Sequence, residues 1–569
     1  MSFKPLPIGV DNFEKLITSG YYYIDKSLFI KELIDMKSEV NLFTRPRRFG
    51  KTLNLSMFKH FFEKSEHDRS PLFQGLKIMA AGEKYTAHLG KYPVISLSLK
   101  SAKQPTFEMA YESLQRVIRQ EFVRHACLLD SNALNREIKE EYKLIISTTA
   151  SAESYAHSLQ LLSQCLYQHY QQKVIILIDE YDVPLENAHF ADHGTNQGFY
   201  EKMTAFIRSL FESALKSNDA LEFAVITGCL RITKESIFTG LNNLEVISIL
   251  TKNYSEHFGF TQKEVSAMLA FYDRKAREEL LKQWYNGYLF GDTEVYNPWS
   301  MVNYVKELLK DKNELPKPYW SNTSSNSIVK ELVERADPSV KQEIETLIAG
   351  GTIEKPIHED ITYNDIYQSQ DNLWNFLFFT GYLKKISEKM VENDTKMVTL
   401  SLPNMEIRYV YKNTILNWFE RKIAQKDLSK LYQAMLDGDT ESFTEEINKN
   451  LIETISFYDA GESFYQGFLA GVLKNMNGYI ITSNRESGKG RYDLLVRTPS
   501  VRGKAIILEL KVSPTFQRLG IECDNALAQI EEKDYESNLK SDGFSNVMKY
   551  GIAFYKKDCL VKLKKDVSM

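Results

Sequence analysis

The sequence predicts an α/β protein in three parts: a parallel sheet with helices on both faces over 1–250, a mainly helical region over 251–452, and a small C-terminal α/β unit over 453–569. Three observations predict it. The first half alternates short runs of Val, Ile and Leu with longer segments of helical period, as in a sheet buried on both faces by helices. From 251 onward helical patterns dominate and aromatic residues crowd together. After the acidic stretch "DGDTESFTEE" the pattern changes to helix, strand, hairpin, strand, helix and strand.

The strand-like runs of the first half are "EVNLF" (39–43), "YPVISLSL" (92–99), "KVIILIDEY" (173–181) and "LEFAVITG" (221–228). Between them, "LNLSMFKHFFEK" repeats Leu53, Met57, Phe58, Phe61 and Phe62 at helical spacing, which marks a face turned to the core. The middle region holds "LKQWYNGYLFG", "VYNPWSMVNYV" and "LWNFLFFTGYL". Its Trp284, Tyr285, Tyr288, Trp299 and Trp320 could stack nucleic-acid bases, but core packing is the commoner use of such residues.

At 569 residues the chain exceeds what one hydrophobic core serves. Lys and Arg total 71 against 75 Asp and Glu, so bulk charge excludes a polycation drawn to nucleic acid or membrane, and any such contact must be local. The five cysteines form no C-x-x-C pair, which argues against zinc and disulfide frameworks and fits a reducing cytosol. "MSFKPLPIGVDNF" lacks the form of a signal peptide, and no apolar run reaches the roughly 18 residues of a span, so a cytoplasmic protein without membrane contact is expected.

"TRPRRFGKT" (44–52) ends like a phosphate-binding loop, with Gly50, Lys51 and Thr52 in place, but Arg45 occupies the position of the first glycine. A buried strand precedes the loop and a helix follows it, so backbone N–H groups and a positive helix end converge there. Lys51 would reach the β- and γ-phosphates of ATP and the Thr52 hydroxyl would ligate Mg2+. "VIILIDEYD" supplies the companion feature: Asp179 at a strand end to hold Mg2+, and Glu180 to polarise the attacking water. Thr227, ending another strand, is placed to sense the γ-phosphate. Arg231 could compensate phosphate charge or sit in a surface salt bridge. Arg48 and Gly50 belong to the cradle in this reading, which leaves open whether Arg45, Arg47 and Arg48 turn their charge toward the nucleotide or outward to a second partner.

The second constellation lies in "GKGRYDLLVRTPSVRGKAIILELKV". Glu509 and Lys511, two apart on a strand, share one face, and a hairpin can bring Asp493 beside them. Two carboxylates and a lysine suit a hard divalent cation such as Mg2+ with a water to orient or deprotonate, which points to phosphodiester hydrolysis. The structural alternative is an edge strand with its polar face in water. Glu462 on a nearby helical segment could add a carboxylate, Gln529 and Lys533 share a helical face, and Lys489 and Arg491 offer local phosphate attraction.

Together the blocks "LFTRPRRFGKTLNLSM", "VIILIDEYDVPL", "ITGCLRITKESIFTGLNNL", "WYNGYLFG", "ESFYQGFLAGVL", "GKGRYDLLV" and "AIILELKV" resemble a bacterial family in which an AAA-ATPase-like domain precedes a PD-(D/E)XK nuclease superfamily domain. The resemblance runs along nearly the whole chain. It implies a P-loop NTPase sheet and a restriction-endonuclease-like C-terminal fold. It matches Lys51 and Thr52 to the nucleotide loop, Asp179 and Glu180 to the magnesium and water-activating acids, Asp493, Glu509 and Lys511 to the nuclease triad, and Glu462 to the acid of its first helix. Gln466 departs from the pattern, since similar proteins often carry histidine there.

The expectation is therefore an ATP-binding and ATP-hydrolysing protein coupled to a Mg2+-dependent nuclease, with DNA favoured over RNA as partner and room for homo-oligomers through the ATPase domain. The rival reading is a nucleotide-dependent switch whose C-terminal domain binds nucleic acid or protein without cutting.

Overall fold

The computed structural model describes residues 3–192, 198–216, 218–230, 237–238, 240–322, 338–359, 369–391, 395–424, 427–454, 462–474, 476–483, 486–487 and 490–564. The chain divides into two compact units, Met1–Ser324 with Thr352–Tyr409, and Ser325–Gly351 with Val410–Met569.

In the first unit, strands β1 (Val40–Thr44), β2 (Val94–Ser98), β3 (Val174–Asp179), β4 (Leu221–Gly228) and β5 (Leu244–Ile247) form one sheet in the order β2-β3-β4-β1-β5, every neighbouring pair parallel. Every residue of β1 and β3 is buried, Asn41 included, which explains why these strands are rich in apolar residues with little alternation. Helices α1 (Lys51–Phe62), α2 (Phe107–Arg124), α3 (Ser158–Tyr170) and α4 (Phe199–Leu215) flank the sheet. The order has one consequence for chemistry: β4 lies between β1 and β3, so Thr227, paired with Phe43, ends up between the loop that follows β1 and the acids that end β3.

The α1 stripe packs as its period predicts for Met57, Phe58, Phe61 and Phe62, all buried, while Leu53 stays half-buried beside a cavity. Gly50 caps the helix at φ +87°, a left-handed conformation that costs glycine little and leaves the first N–H groups of α1 without a capping side chain.

The middle region contributes helices Gln262–Phe271, Glu278–Tyr285 and α5 (Pro298–Lys310), which bury Met268, Leu269, Leu281, Tyr285, Tyr304 and Leu308 in a common core. It also adds two three-stranded antiparallel sheets, one from Phe260–Thr261, Tyr288–Phe290 and Thr293–Tyr296, the other from Ile353–Pro356, Lys384–Val391 and Thr395–Ser401. Most of these strands are too short to stand out from the helical periodicity around them.

In the second unit, α6 (Glu462–Leu473) precedes a sheet of β6 (Ile480–Ser483), β7 (Leu494–Arg497), β8 (Lys504–Val512), β9 (Asn546–Tyr555) and β10 (Asp558–Leu563), in chain order across the sheet. Neighbours are antiparallel except β8 and β9, whose parallel pairing requires the crossover that α7 (Leu519–Glu532) provides. On β8, Ala505 and Ile507 pack with Ile530 and Tyr535, so the face turned to α7 starts apolar and becomes polar at Glu509 and Lys511. The helix comes close to the sheet at Gly551, the residue paired with Glu509: a Cβ there would stand 2.4 Å from the Cys523 carbonyl oxygen on α7. Among the described residues, no helix is long and apolar enough to cross a membrane.

Candidate functional site

The nucleotide-like constellation converges on the carboxylate of Asp179. Thr52 donates to its Oδ2 at 2.7 Å and Thr227 to its Oδ1 at 2.5 Å, so hydroxyls from α1 and β4 hold both oxygens. Glu180 follows at φ +53°, a strained conformation for a residue with a side chain, and burial, reinforced by Asp179, pushes its carboxyl above the usual range. Lys51 is buried and donates to the carbonyls of Arg45 and Pro46 at 2.7 and 2.9 Å, folding back over its own loop. Gly50, Lys51, Thr52, Arg48 and Glu180 line one cavity of about 580 Å³.

The loop arginines have three different fates. Arg45 is fully buried; it donates to the carbonyls of Thr44 and Ile247, and its guanidinium lies 5.0 Å from the ring of Phe258 and 5.1 Å from that of Phe290. Burial pushes its pKa down to about 9. It thus supports the loop from behind. Arg47 pairs with Glu186, and Arg48, at φ +71°, stacks 4.3 Å over Trp299 at the start of α5. Trp299 is therefore a loop contact, whereas Tyr285, Tyr288 and Trp320 are buried core residues.

Asp182 was not singled out by sequence reasoning. It is buried, burial raises its pKa, and it accepts from the backbone N–H of Cys229 at 2.6 Å and of Leu230 at 3.3 Å, tying the chain after β3 to the chain after β4. The signal was available as a third acid in "IDEYD". Arg231 lies outside the described residues.

In the second unit the β7–β8 register ends at Leu494↔Leu508, so Asp493 and Glu509 each stand one residue beyond that last pair. Asp493 Oδ2 accepts from the Leu510 N–H at 2.8 Å. Glu509, 1% exposed, accepts through Oε1 from the side-chain amide of Gln529, and Lys511 Nζ stands 3.8 Å from the same oxygen. Gln466, on α6, donates to the Asp493 carbonyl at 2.8 Å. Lys533 does not join this group: it caps α7 and lies 3.7 Å from Glu532. Its backbone is still helical, with its N–H bonded to the Gln529 carbonyl at 3.0 Å, but its side chain is partly exposed beside Glu532. Glu462 opens α6, but its side chain, like Lys489, lies outside the described residues.

Among the described residues no group of three or more His, Cys, Asp or Glu side chains stands ready to chelate a metal. Asp493 and Glu509 form a pair, and Asp179 works with hydroxyls. Both donor sets fit Mg2+, which takes one or two carboxylates and fills its octahedron with water and phosphate oxygens.

Residues 7–238, which hold Lys51, Thr52, Asp179 and Thr227, match the family model of a predicted AAA-ATPase. Residues 460–564, which hold Asp493, Glu509 and Lys511, match that of the PD-(D/E)XK nuclease superfamily. The chain is 26% identical over 561 residues to an uncharacterized protein in the vnfD 5′ region of Azotobacter chroococcum mcd 1, covering 95% of each chain. The chain thus carries an AAA-ATPase-like domain followed by a PD-(D/E)XK nuclease superfamily domain.

Proposed function

We propose that the protein is a Mg2+-dependent nuclease acting on DNA, governed by ATP binding and hydrolysis in its N-terminal half. The observation that carries the reading is the meeting of Asp493 with β8, where it accepts from the N–H of Leu510 next to Glu509, with Lys511 Nζ 3.8 Å from Glu509. A carboxylate inside an otherwise apolar strand is costly to bury unless it is paired or binds a metal, and Glu509 has both a lysine and an amide within reach.

In this reading Asp493 and Glu509 hold Mg2+, which when bound neutralises phosphate charge and makes a nearby water more acidic. Lys511 orients the attacking water against the phosphorus. The water oxygen bonds to the phosphorus and gives up a proton to solvent, the bond to the departing sugar oxygen breaks, and that oxygen takes up a proton from solvent. Gln529 fixes the Glu509 carboxylate, and Gln466 fixes the Asp493 backbone. Glu462 is a further candidate acid by its position at the start of α6. In the first half, Lys51 and the N–H groups at Gly50 hold the phosphates, Thr52 and Asp179 hold Mg2+, Thr227 orients Asp179, Arg48 lines the cradle, and Glu180 draws the proton of the water that attacks the γ-phosphate. Arg231 keeps its proposed role in charge compensation. We assign the ATPase part to about 1–250 and the nuclease part to about 453–569, joined by the region between.

The test is cleavage of single- and double-stranded DNA and of RNA by the purified full chain, with Mg2+ or with chelator, and with ATP, ADP or neither. Cleavage that needs Mg2+ and vanishes in Lys511→Ala and Asp493→Ala, both still folded, is expected. Undiminished cutting by Lys511→Ala would sink the assignment.

One observation favours the switch reading. Lys51 spends its ammonium on carbonyls of its own loop, a posture that must open before phosphate is held. Nucleotide-dependent binding of nucleic acid without cleavage under any condition would establish it.

A further inference from the structure

Lys100 stands where two cavities of the N-terminal unit meet. The parallel register sets Ser98 beside Asp179 at the ends of β2 and β3, so the residues just beyond, Lys100 and Glu180, leave the sheet at the same edge. In the turn Leu99–Ala102, Leu99 and Ala102 are buried and Lys100 is exposed. Between these two anchors Lys100 turns outward. There it lines the cavity that holds Lys51, Thr52 and Glu180, and also an adjoining one of about 780 Å³ whose wall includes Thr52 and Asp179.

Four of the cations that line the smaller cavity are otherwise committed. Lys51 is bound to loop carbonyls, Arg47 to Glu186, and Arg48 to Trp299. Lys26, across the same cavity, is paired with Glu264. Lys103 also lines the cavity, but on the side of Glu186, which already has Arg47. The Lys100 ammonium makes no hydrogen bond or ion pair among the described residues, while its charge, with that of Lys51, acts on Glu180.

We propose that Lys100 is a catalytic cation of the nucleotide site, contacting the terminal phosphate of a nucleoside triphosphate from the side of β2, opposite the loop. This rests on the nucleotide reading of Lys51, Thr52 and Asp179. In the transfer the water oxygen bonds to the γ-phosphorus, the bond to the β-γ bridging oxygen breaks, and the water's proton goes toward Glu180. Lys100 keeps its own proton throughout and offsets the charge on the γ-oxygens. A diphosphate has no group at that position, so Lys100 separates triphosphate from diphosphate.

The experiment is titration calorimetry of the full chain with Mg2+ and either ATPγS or ADP, for the wild type, Lys100→Ala and Lys100→Arg. Because Lys100 is exposed, both variants should melt with the wild type. We expect Lys100→Ala to lose about tenfold in ATPγS affinity, the size of one charge-assisted hydrogen bond, with ADP affinity changed less than about twofold, and Lys100→Arg to restore most of the loss. Unchanged ATPγS binding by Lys100→Ala, or an equal loss for both nucleotides, overturns the inference and leaves the nucleotide reading standing. A wild type that binds neither nucleotide overturns the nucleotide reading and the inference with it.

Discussion

The hydroxyl of Thr227 donates to Oδ1 of Asp179 at 2.5 Å, across two neighbouring parallel strands, and both side chains are buried. With Thr52 on the other oxygen, the carboxylate has one orientation. Thr227→Val keeps the shape and removes the donor. ATP turnover should fall about 10- to 100-fold, as when a partner of a ligating group is lost, with nucleotide affinity little changed. Steady-state hydrolysis and a binding titration on the same preparation check this.

Arg45 invites the opposite substitution, a return to the glycine of the usual phosphate loop. Its side chain fills the space between Phe258 and Phe290, so Arg45→Gly should destabilise the N-terminal unit by about 3 kcal/mol or more through the cavity it leaves, with no gain in nucleotide affinity. Thermal melting monitors the first expectation and calorimetry the second.

Gln529 acts on the second site through Glu509. Gln529→Ala leaves a buried carboxylate without its amide donor, and Mg2+-dependent cleavage should drop by about 10- to 100-fold while the fold persists. Initial cleavage rates against Mg2+ concentration should show a higher half-saturating Mg2+ concentration together with the lower rate.

Gly551 is a packing requirement of the same site. A methyl group would collide with the Cys523 carbonyl, a backbone atom that cannot swing away, so Gly551→Ala should cost about 1–3 kcal/mol and displace the helix that carries Gln529. A lower urea midpoint for the C-terminal unit, with reduced cleavage, is the expected pair of results.

Glu406 provides a stability readout independent of both sites. It is fully buried, accepts from the Ser300 hydroxyl at 2.8 and 2.9 Å and from the Trp320 N–H at 2.9 Å, and burial pushes its pKa up to about 8. A raised carboxyl pKa means the folded state favours the protonated form. That contribution is full below the ordinary carboxylate range and fades as pH rises toward 8, by about 1.4 kcal/mol per unit. Glu406→Gln, always neutral, should melt close to the wild type at pH 5 and above it at pH 8, by a margin that grows between the two. Melting curves across that range check the sign.

Local pattern carried much of this protein. The lack of alternation in the apolar-rich β1 and β3 announced a sheet buried on both faces, and the two-residue spacing of Glu509 and Lys511 put them on one face, because strand and helix periods depend only on backbone geometry. What local pattern could not decide was the direction of a charged side chain in a loop. "RPRR" reads as one basic cluster, yet packing buries Arg45, Glu186 takes Arg47 and Trp299 takes Arg48, each partner remote in sequence. The same holds for Asp182, Gln529 and Lys100, whose neighbours come from strand order and from a crossover helix. Residue pattern alone was enough for the longer strands and helices of the two ends and for the residue types that chemistry needs, though not for the short strands of the middle region. The tertiary structure alone decided which of those charges meet, because contacts between strands and across a crossover depend on sheet order and register, which leave no periodic trace in the chain.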